Sequence, residues 1–591
     1  MNRLKWVWAL VASGLLLLTA CSFTDEQITA GTNSNDEDLV ISAAEEFRST
    51  SHSIELTQIN PTQTPIQLPV ATLTPPAQPS PEPEIHATEI LPVCPQPELF
   101  RSGRICYIST EGETFIHPIS MVSDGQQAWL LDGGRVLQID LENPNAPVVI
   151  LSPGDMILGE PVQEPLDLAL VDLGNEQGQG QGLLVLDRVG DVYLLDFETG
   201  EWVWDRYSRP IGQTSSHYYL SLSTNGSDRF LLEASYRYGV RYLPGQTGET
   251  GWSVDEEDVL VDLAVLRDAT ASFAYVLQRP VDTANAQIIR YVQGQIDNNF
   301  RPNIEITQPR EIQVGPTAIY LLDQGGLRLS VLNNENGMVL SQTEFPFPIS
   351  TFALYLDQFG SSLAIYAGRN TVYLPGQPDT QTIIDLNDVP TGGQSAVLLN
   401  SAAYDPQTWL QMPDLVLPIE NLPPDARELR LPGAPRHYRQ GIHEGMDFYW
   451  GPGREIRAIA AGTIIRADWD YVEPWPELFA HWRSRSAELG YTPDEALDFF
   501  RGRQIWIQHE NGFISRHAHL STIDFNIDVG VQIAQGQVIG QVGNSGSPGS
   551  LDGPTVDSHL HFELWYGDQG YLGQYLRPIE TRELIKTIFT K

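Results

Sequence analysis

Between residues 107 and 400 one theme recurs: an apolar strand, a polar turn, then a second strand closed by a turn signal. It is clearest where Ala128–Asp140 is set beside Leu184–Asp196, each an apolar run broken by Gly and an acid. Later copies run from Phe230, Tyr275, Tyr320 and Ile365. With Trp129 and Leu184 as the first anchors, the period is about 45 residues after one longer first interval, the length of a four-stranded β-propeller blade. Six copies predict a mainly β fold with a six-bladed β-propeller over 94–400, although ring closure can recruit a partial seventh blade from the ends. A pair of β-sandwiches is the competing arrangement. No cluster of His, Cys or paired carboxylates stands out in this region, which reads as a scaffold or binding module whose ligand the sequence does not name.

The segments before it belong to other physical classes. Arg3 and Lys5 precede the apolar run Trp6–Leu18, the pattern of an export signal over 1–20 and shorter than a full membrane span. It closes on Leu-Thr-Ala-Cys21, which resembles the bacterial lipobox and implies a lipidated Cys21 and an extracytoplasmic, membrane-anchored lipoprotein. A plain signal peptide is the alternative. Residues 21–93 are rich in Pro, Thr, Ser, Gln and Glu, a composition too poor in apolar surface to offset its ordering entropy. They predict a disordered tether that could reach roughly 200 Å when extended. Cys94 and Cys106 are the only cysteines after Cys21 and could close a disulfide in an exported chain; two free thiols are the alternative. Thirty-five basic against seventy-five acidic residues give a formal charge of -40. Such a field excludes nucleic acid and anionic lipid as partners of the folded body.

After a Pro-rich connector over 401–436, residues 437–591 hold a different signal. Eight of the twelve histidines lie between His437 and His561. An HxxxD pair, His443 and Asp447, is weak alone, and so is the HxH pair His559 and His561. On a strand, however, His559 and His561 project to one face because side chains alternate. Imidazole and carboxylate are zinc-ligand types, and a catalytic zinc keeps three protein ligands and one open position.

The motifs become specific together. Gly441-Ile-His443-Glu-Gly-Met-Asp447 is followed by His509-Glu-Asn-Gly512 with His517-Ala-His519, then Gly536–Gly543, then Ser558-His-Leu-His-Phe-Glu563. In this order they resemble the lysostaphin/LytM-type zinc metalloendopeptidase domain over roughly 437–567. The resemblance implies an antiparallel β-sheet domain binding one Zn2+ through His443, Asp447 and His561. It also implies that His519 and His559 are the non-ligand catalytic histidines, without deciding which is the general base, and that the substrate is a peptidoglycan peptide. His517 would share the strand face of His519 but has no family role. His437, His481 and His509 read as surface or supporting residues.

Two departures stand out. An insertion over 469–503 carries Trp469, Tyr471, Trp475, Phe479 and Trp482. It ends in a predicted helix with a Thr492-Pro-Asp-Glu495 capping box and a Gly502 stop. It is either a self-packed extension or a wall of the cleft. The Gly- and Ser-rich stretch Gly543–Gly553 predicts a mobile rim. The function that follows is a secreted, lipid-anchored endopeptidase; a non-catalytic wall-binding protein and a latent enzyme are the alternatives.

Overall fold

In the computed structural model the described residues are 115–373 and 402–590, except 141–146, 175–179, 207–216, 243, 245–249, 255–257, 268–271, 281–282, 284, 346–347, 357–361, 369–370 and 425–426. All described residues belong to one compact unit. The expected signal segment, lipidated Cys21, tether and Cys94–Cys106 disulfide lie outside the described residues.

The described part is mainly β and antiparallel. Over 118–373, besides a two-stranded hairpin at 156–161, six meander sheets follow one another with successive strands paired in chain order, save that the fifth strand of the fourth sheet pairs with its third. Five have at least four strands and the sixth has three. The six repeat anchors all fall on the second strand of their sheets: Gln127–Asp132, Gln181–Asp187, Asp228–Glu233, Ser272–Pro280, Ala318–Asp323 and Ser362–Gly368. The recurrence has a packing cause. In the second sheet Leu183, Leu184, Val185 and Leu186 are all wholly buried, so this strand is covered on both faces and reads as an unbroken apolar run. Each such side chain contributes roughly 1.5–3 kcal/mol on burial.

The acid that ends several of these strands also has a task. Asp132 accepts the backbone N–H groups of Ile116 and His117, and Asp187 those of Gln163 and Glu164. Glu233 accepts that of Tyr218. Each carboxylate thus satisfies backbone donors at the entry to its own sheet, where no ladder partner is available. In the first sheet Gly133 (φ 54°) and Gly134 (φ 79°) make the reversal after Asp132 with the left-handed backbone that glycine adopts at least cost.

The first strands of the six sheets lie side by side in chain order, and that of the sixth, Ile349–Leu356, lies beside that of the first, Pro118–Ser123. Neighbouring first strands are joined by hydroxyl–acid pairs: Ser120 donates to Asp167 at 2.7 Å, Ser221 to Asp262 at 2.6 Å and Thr351 to Glu311 at 2.7 Å. Burial, with Asp167 and Glu311 nearby, pushes Asp262 up to about 8. Burial likewise pushes Glu311 up to about 7, against the pull of Arg577.

The C-terminal part is built on a seven-stranded antiparallel sheet. Its path runs Met446–Tyr449, His559–Tyr566, Phe513–Ala518, Ile505–Gln508, Gly462–Ala467 and Gln532–Ile533, with Gly570–Tyr571 paired to the second of these. A smaller sheet joins Glu455–Arg457, Val538–Val542 and Leu520–Ile523. The stretch expected to be a connector contributes to this domain's core: Ala403, Tyr404, Trp409, Ile419 and Leu431 pack with Phe448, Ile507 and Leu560. Trp409 is wholly buried, and its indole N–H donates to Ala403 O at 2.8 Å.

The insertion forms two helices, Pro476–Leu489 and Asp494–Arg501. The first was not expected, and the second does not have the capping box. Its N-cap is Pro493, while the Thr492 hydroxyl donates to Arg439 O at 2.6 Å. Gly502 does stop the helix, at φ 66°. Phe479, Ala496 and Phe500 form a small core of their own with Tyr438, Trp482 and Phe499.

The C-terminal helix Pro578–Thr590 bridges the two regions. Ile579 packs among the meander sheets, whereas Leu584, Ile585 and Ile588 pack in the C-terminal core. Buried charges add to the junction. Arg188 pairs with Glu164 at 3.1 Å and donates to the Tyr218 hydroxyl at 3.1 Å, while the Tyr571 hydroxyl donates to Glu164. Arg577 pairs with Glu311 at 3.0 Å.

Candidate metal centre and cleft

Strand register brings the candidate residues together. Asp447 lies directly opposite His561, and Tyr449 opposite His559, in one antiparallel pair; directly opposed side chains on one face are close neighbours. His443 precedes this strand, and its backbone N–H donates to Ala434 O at 2.7 Å. His519 follows Ala518, itself opposite His561, and adopts φ 63°, an uncommon conformation for a non-glycine residue that here re-aims its ring. The ring stands 4.8 Å from that of His559 and 5.6 Å from that of His561, centroid to centroid.

The tautomers follow from the partners, because a carbonyl can only accept. His443 Nδ1 faces Leu431 O at 3.0 Å, His519 Nδ1 faces Ser545 O at 2.7 Å and His559 Nδ1 faces Asp557 O at 2.6 Å. Each therefore carries a proton on Nδ1, so that Nε2 is the acceptor of its neutral form. His561 is reversed: its Nε2 donates to Glu563 at 2.8 Å, which leaves Nδ1 as the free acceptor.

Three acceptor atoms now converge. His443 Nε2 lies 2.9 Å from Asp447 Oδ1 and 2.9 Å from His561 Nδ1, which is itself 3.1 Å from Asp447 Oδ1. Lone pairs this close repel unless a proton or a cation lies among them. Two imidazole nitrogens and one carboxylate oxygen are the donor set of a zinc site, so the residues fit a divalent metal.

Electrostatics agree. Burial, with Arg436 nearby, holds His443 down to about 3 and so neutral. Burial, with His559 and His561 nearby, holds His519 well below the ordinary imidazole range. Burial would raise Asp447, but His443 and His559 hold it well below the carboxylate range. Burial opposes a charge on His561, yet the bonds to Asp447 and Glu563 outweigh it and raise its proton affinity. A cation at Nδ1 competes with that proton.

Behind the group lies a charged ladder that the motifs alone did not reveal. Glu563 receives Arg501 at 2.6 and 2.9 Å, and Arg501 reaches Glu444 at 2.5 Å. Arg516 lies 4.1 Å from the ring centroid of Trp506 and 4.0 Å from that of Trp565. Period two was the available signal for Glu563, which shares its strand face with His559 and His561. On the open side Arg436 donates to the second oxygen of Asp447 at 3.0 Å. Arg430 lies 3.5 Å over the ring of Tyr449, which stacks on His559 at 4.7 Å.

The remaining histidines fall elsewhere. His517 does not share the face of His519, because the chain leaves the strand between them; it is buried with its ring edge against Phe562. His509 is buried rather than superficial, held by Ala461 O and Ser515. His437 lies at the domain junction, where its Nε2–H donates to Val189 O at 2.8 Å. His481 is exposed. The stretch Gly543–Gly553 is pinned rather than loose: Asn544 donates to Gly553 O and Val556 O, and Ser545 to Leu520 O.

A cleft of about 680 Å³ opens over the group. Ser235–Arg237 of the third meander sheet line one side and Arg483, Leu497 and Phe500 of the insertion line another. The insertion is therefore both self-packed and a wall of the cleft.

Residues 441–573 match the model described as Peptidase family M23. A 123-residue stretch is 28% identical to lysostaphin of Staphylococcus staphylolyticus, covering 21% of this chain and 18% of that protein. Glycyl-glycine endopeptidase ALE-1 of Staphylococcus capitis is also 28% identical over 123 residues, 21% of this chain and 24% of its own. The chain thus spans less than a quarter of the length of either relative. The catalytic domain of the prophage-encoded M23 protein EnpA of Enterococcus faecalis aligns at 20% identity and a TM-score of 0.15, over 23% of this chain and 76% of that one.

Proposed function

We propose that this chain, whose C-terminal part is an M23-family, LytM-type peptidase domain, is an extracytoplasmic, lipid-anchored zinc endopeptidase that hydrolyses peptide bonds of peptidoglycan stems or cross-bridges. The observation that carries the reading is the convergence of three ligand atoms, His443 Nε2, Asp447 Oδ1 and His561 Nδ1, within 3.1 Å of one another. These residues would hold one Zn2+, which supplies an acidified water and a polarised scissile carbonyl.

The chain's own groups account for the proton traffic. His519 and His559 both begin as Nδ1–H tautomers, so each Nε2 can only accept at first. Proton uptake from the attacking water makes one an imidazolium, which then donates to the leaving amine. Ser545 O and Asp557 O stay hydrogen-bonded to the Nδ1–H groups throughout and fix the ring directions. Arg430, over Tyr449, supports the stack that holds His559.

The six meander sheets are read as a six-bladed propeller, supported by six anchors on six second strands and by the side-by-side order of the first strands around to the starting sheet. Of the described connector residues, Arg436 meets Asp447 with a guanidinium, which cannot ligate a metal, and Leu431 meets His443 through its carbonyl at Nδ1, away from Nε2. This favours an active over a latent enzyme.

The test is zinc analysis of the purified full chain together with product mapping on cell-wall fragments. One equivalent of zinc and new peptide termini are expected, both absent in His443→Ala. Stoichiometric zinc with intact fragments would overturn the endopeptidase reading in favour of a binding role.

A further inference from the structure

The cleft is basic on an acidic chain. Seven of its lining residues are arginines against three acids, Glu428, Asp447 and Asp557, whereas the chain carries 35 basic and 75 acidic residues. Several of these arginines are already committed. Arg237 pairs with Glu428, Arg436 with Asp447, and Arg501 with Glu563 and Glu444.

Arg439 and Arg483 differ. Arg439 is buried, and it bonds the Thr492 hydroxyl at 3.0 Å and Ile442 O at 2.6 Å, both neutral. Arg483, half-buried on the first insertion helix, uses only Nε, on Tyr438 O at 3.3 Å. Among the described residues neither has a carboxylate within ion-pair distance; Glu444, which feels Arg439, is held by Arg501. Both terminal amino groups of Arg483 are thus left for a ligand, and a guanidinium fork matches a carboxylate bidentately. Across the cleft the half-exposed ring of Tyr236 offers an apolar wall for the rest of a peptide chain.

We propose that Arg483, which lines the cleft together with Arg439, is a carboxylate-binding subsite, so that the preferred substrate is a peptide with a free carboxylate near the scissile bond. The proposal rests on the endopeptidase reading for its consequence in turnover but not for binding itself. A charge-assisted pair of this kind favours the carboxylate over its carboxamide by about tenfold or more.

The test uses matched stem-type peptides, one with a free carboxylate beside the scissile bond and one with that group as the carboxamide. Calorimetry on the metal-free full chain measures binding, and kcat/KM on the zinc-loaded chain measures turnover. Tighter binding and faster turnover of the carboxylate form are expected in the wild type. The preference should fall towards unity in Arg483→Gln, recover in part in Arg483→Lys, and persist in Arg485→Gln, which alters an exposed arginine on the same helix. Equal binding of both peptides by the wild type, or a preference unaltered in Arg483→Gln, would overturn the subsite. Selective binding with no hydrolysis of either peptide supports the subsite and counts against the endopeptidase reading alone.

Discussion

Glu563 accepts the Nε2–H of His561 at 2.8 Å, from two residues further along the same strand. This bond turns Nδ1 of His561 towards His443 and Asp447, so the carboxylate decides which nitrogen faces the candidate metal site. Burial would neutralise Glu563, but Arg501 and His561 hold it well below the carboxylate range.

Glu563→Gln keeps the shape and removes the charge that orients His561. Zinc affinity should fall by about 10–100-fold, as measured by competition with a chelating dye. Affinity equal to wild type would show that His561 needs no such partner.

His519→Ala removes a side chain that, among the described residues, makes no hydrogen bond to the three ligand atoms. The purified variant should retain its zinc while kcat falls by about 10²–10⁴-fold. Loss of zinc in step with activity would instead place His519 among the ligands.

Asp262 carries a pH dependence of stability. Its carboxyl is raised to about 8 when folded, above the roughly 3.9 of an unfolded aspartate. The folded state therefore binds the extra proton, and the contribution is complete below pH about 4 and lost as pH rises through about 8. Asp262→Asn should flatten that decline, seen as a smaller difference in Tm between pH 5 and pH 8.5 than in the wild type. An unaltered difference would assign the pH dependence to other groups.

Trp409→Ala empties a wholly buried site that the Pro-rich stretch provides to the C-terminal core. The expected loss is about 3–5 kcal/mol, read by denaturant unfolding. A loss under about 1 kcal/mol would mean that the stretch is only a spacer.

The repeat was legible because second strands buried on both faces must be apolar throughout, and Trp129 or Leu184 announces this locally. The five histidine and aspartate candidates were singled out by the order of their motifs and the family resemblance it carries, since HxxxD and HxH are each weak alone. Thr492 misled because its hydroxyl bonds Arg439 O instead of capping a helix. Gly543–Gly553 misled because a glycine-rich composition says nothing of the bonds that Asn544 and Ser545 make. Arg483 offered no signal at all, since only packing shows which helical arginine faces the cleft.

Residue order alone thus determined the strand period, the repeat length and the supply of ligand atoms, because these are matters of local geometry and side-chain chemistry. It could not determine that His443 meets His561 across 118 positions, that Asp447 falls opposite His561 rather than one residue away, or that His519 turns at φ 63°. A one-residue slip would send each side chain to the other face of the sheet. Convergence therefore depends on register and on the packing that fixes it, which no short stretch of the chain encodes by itself.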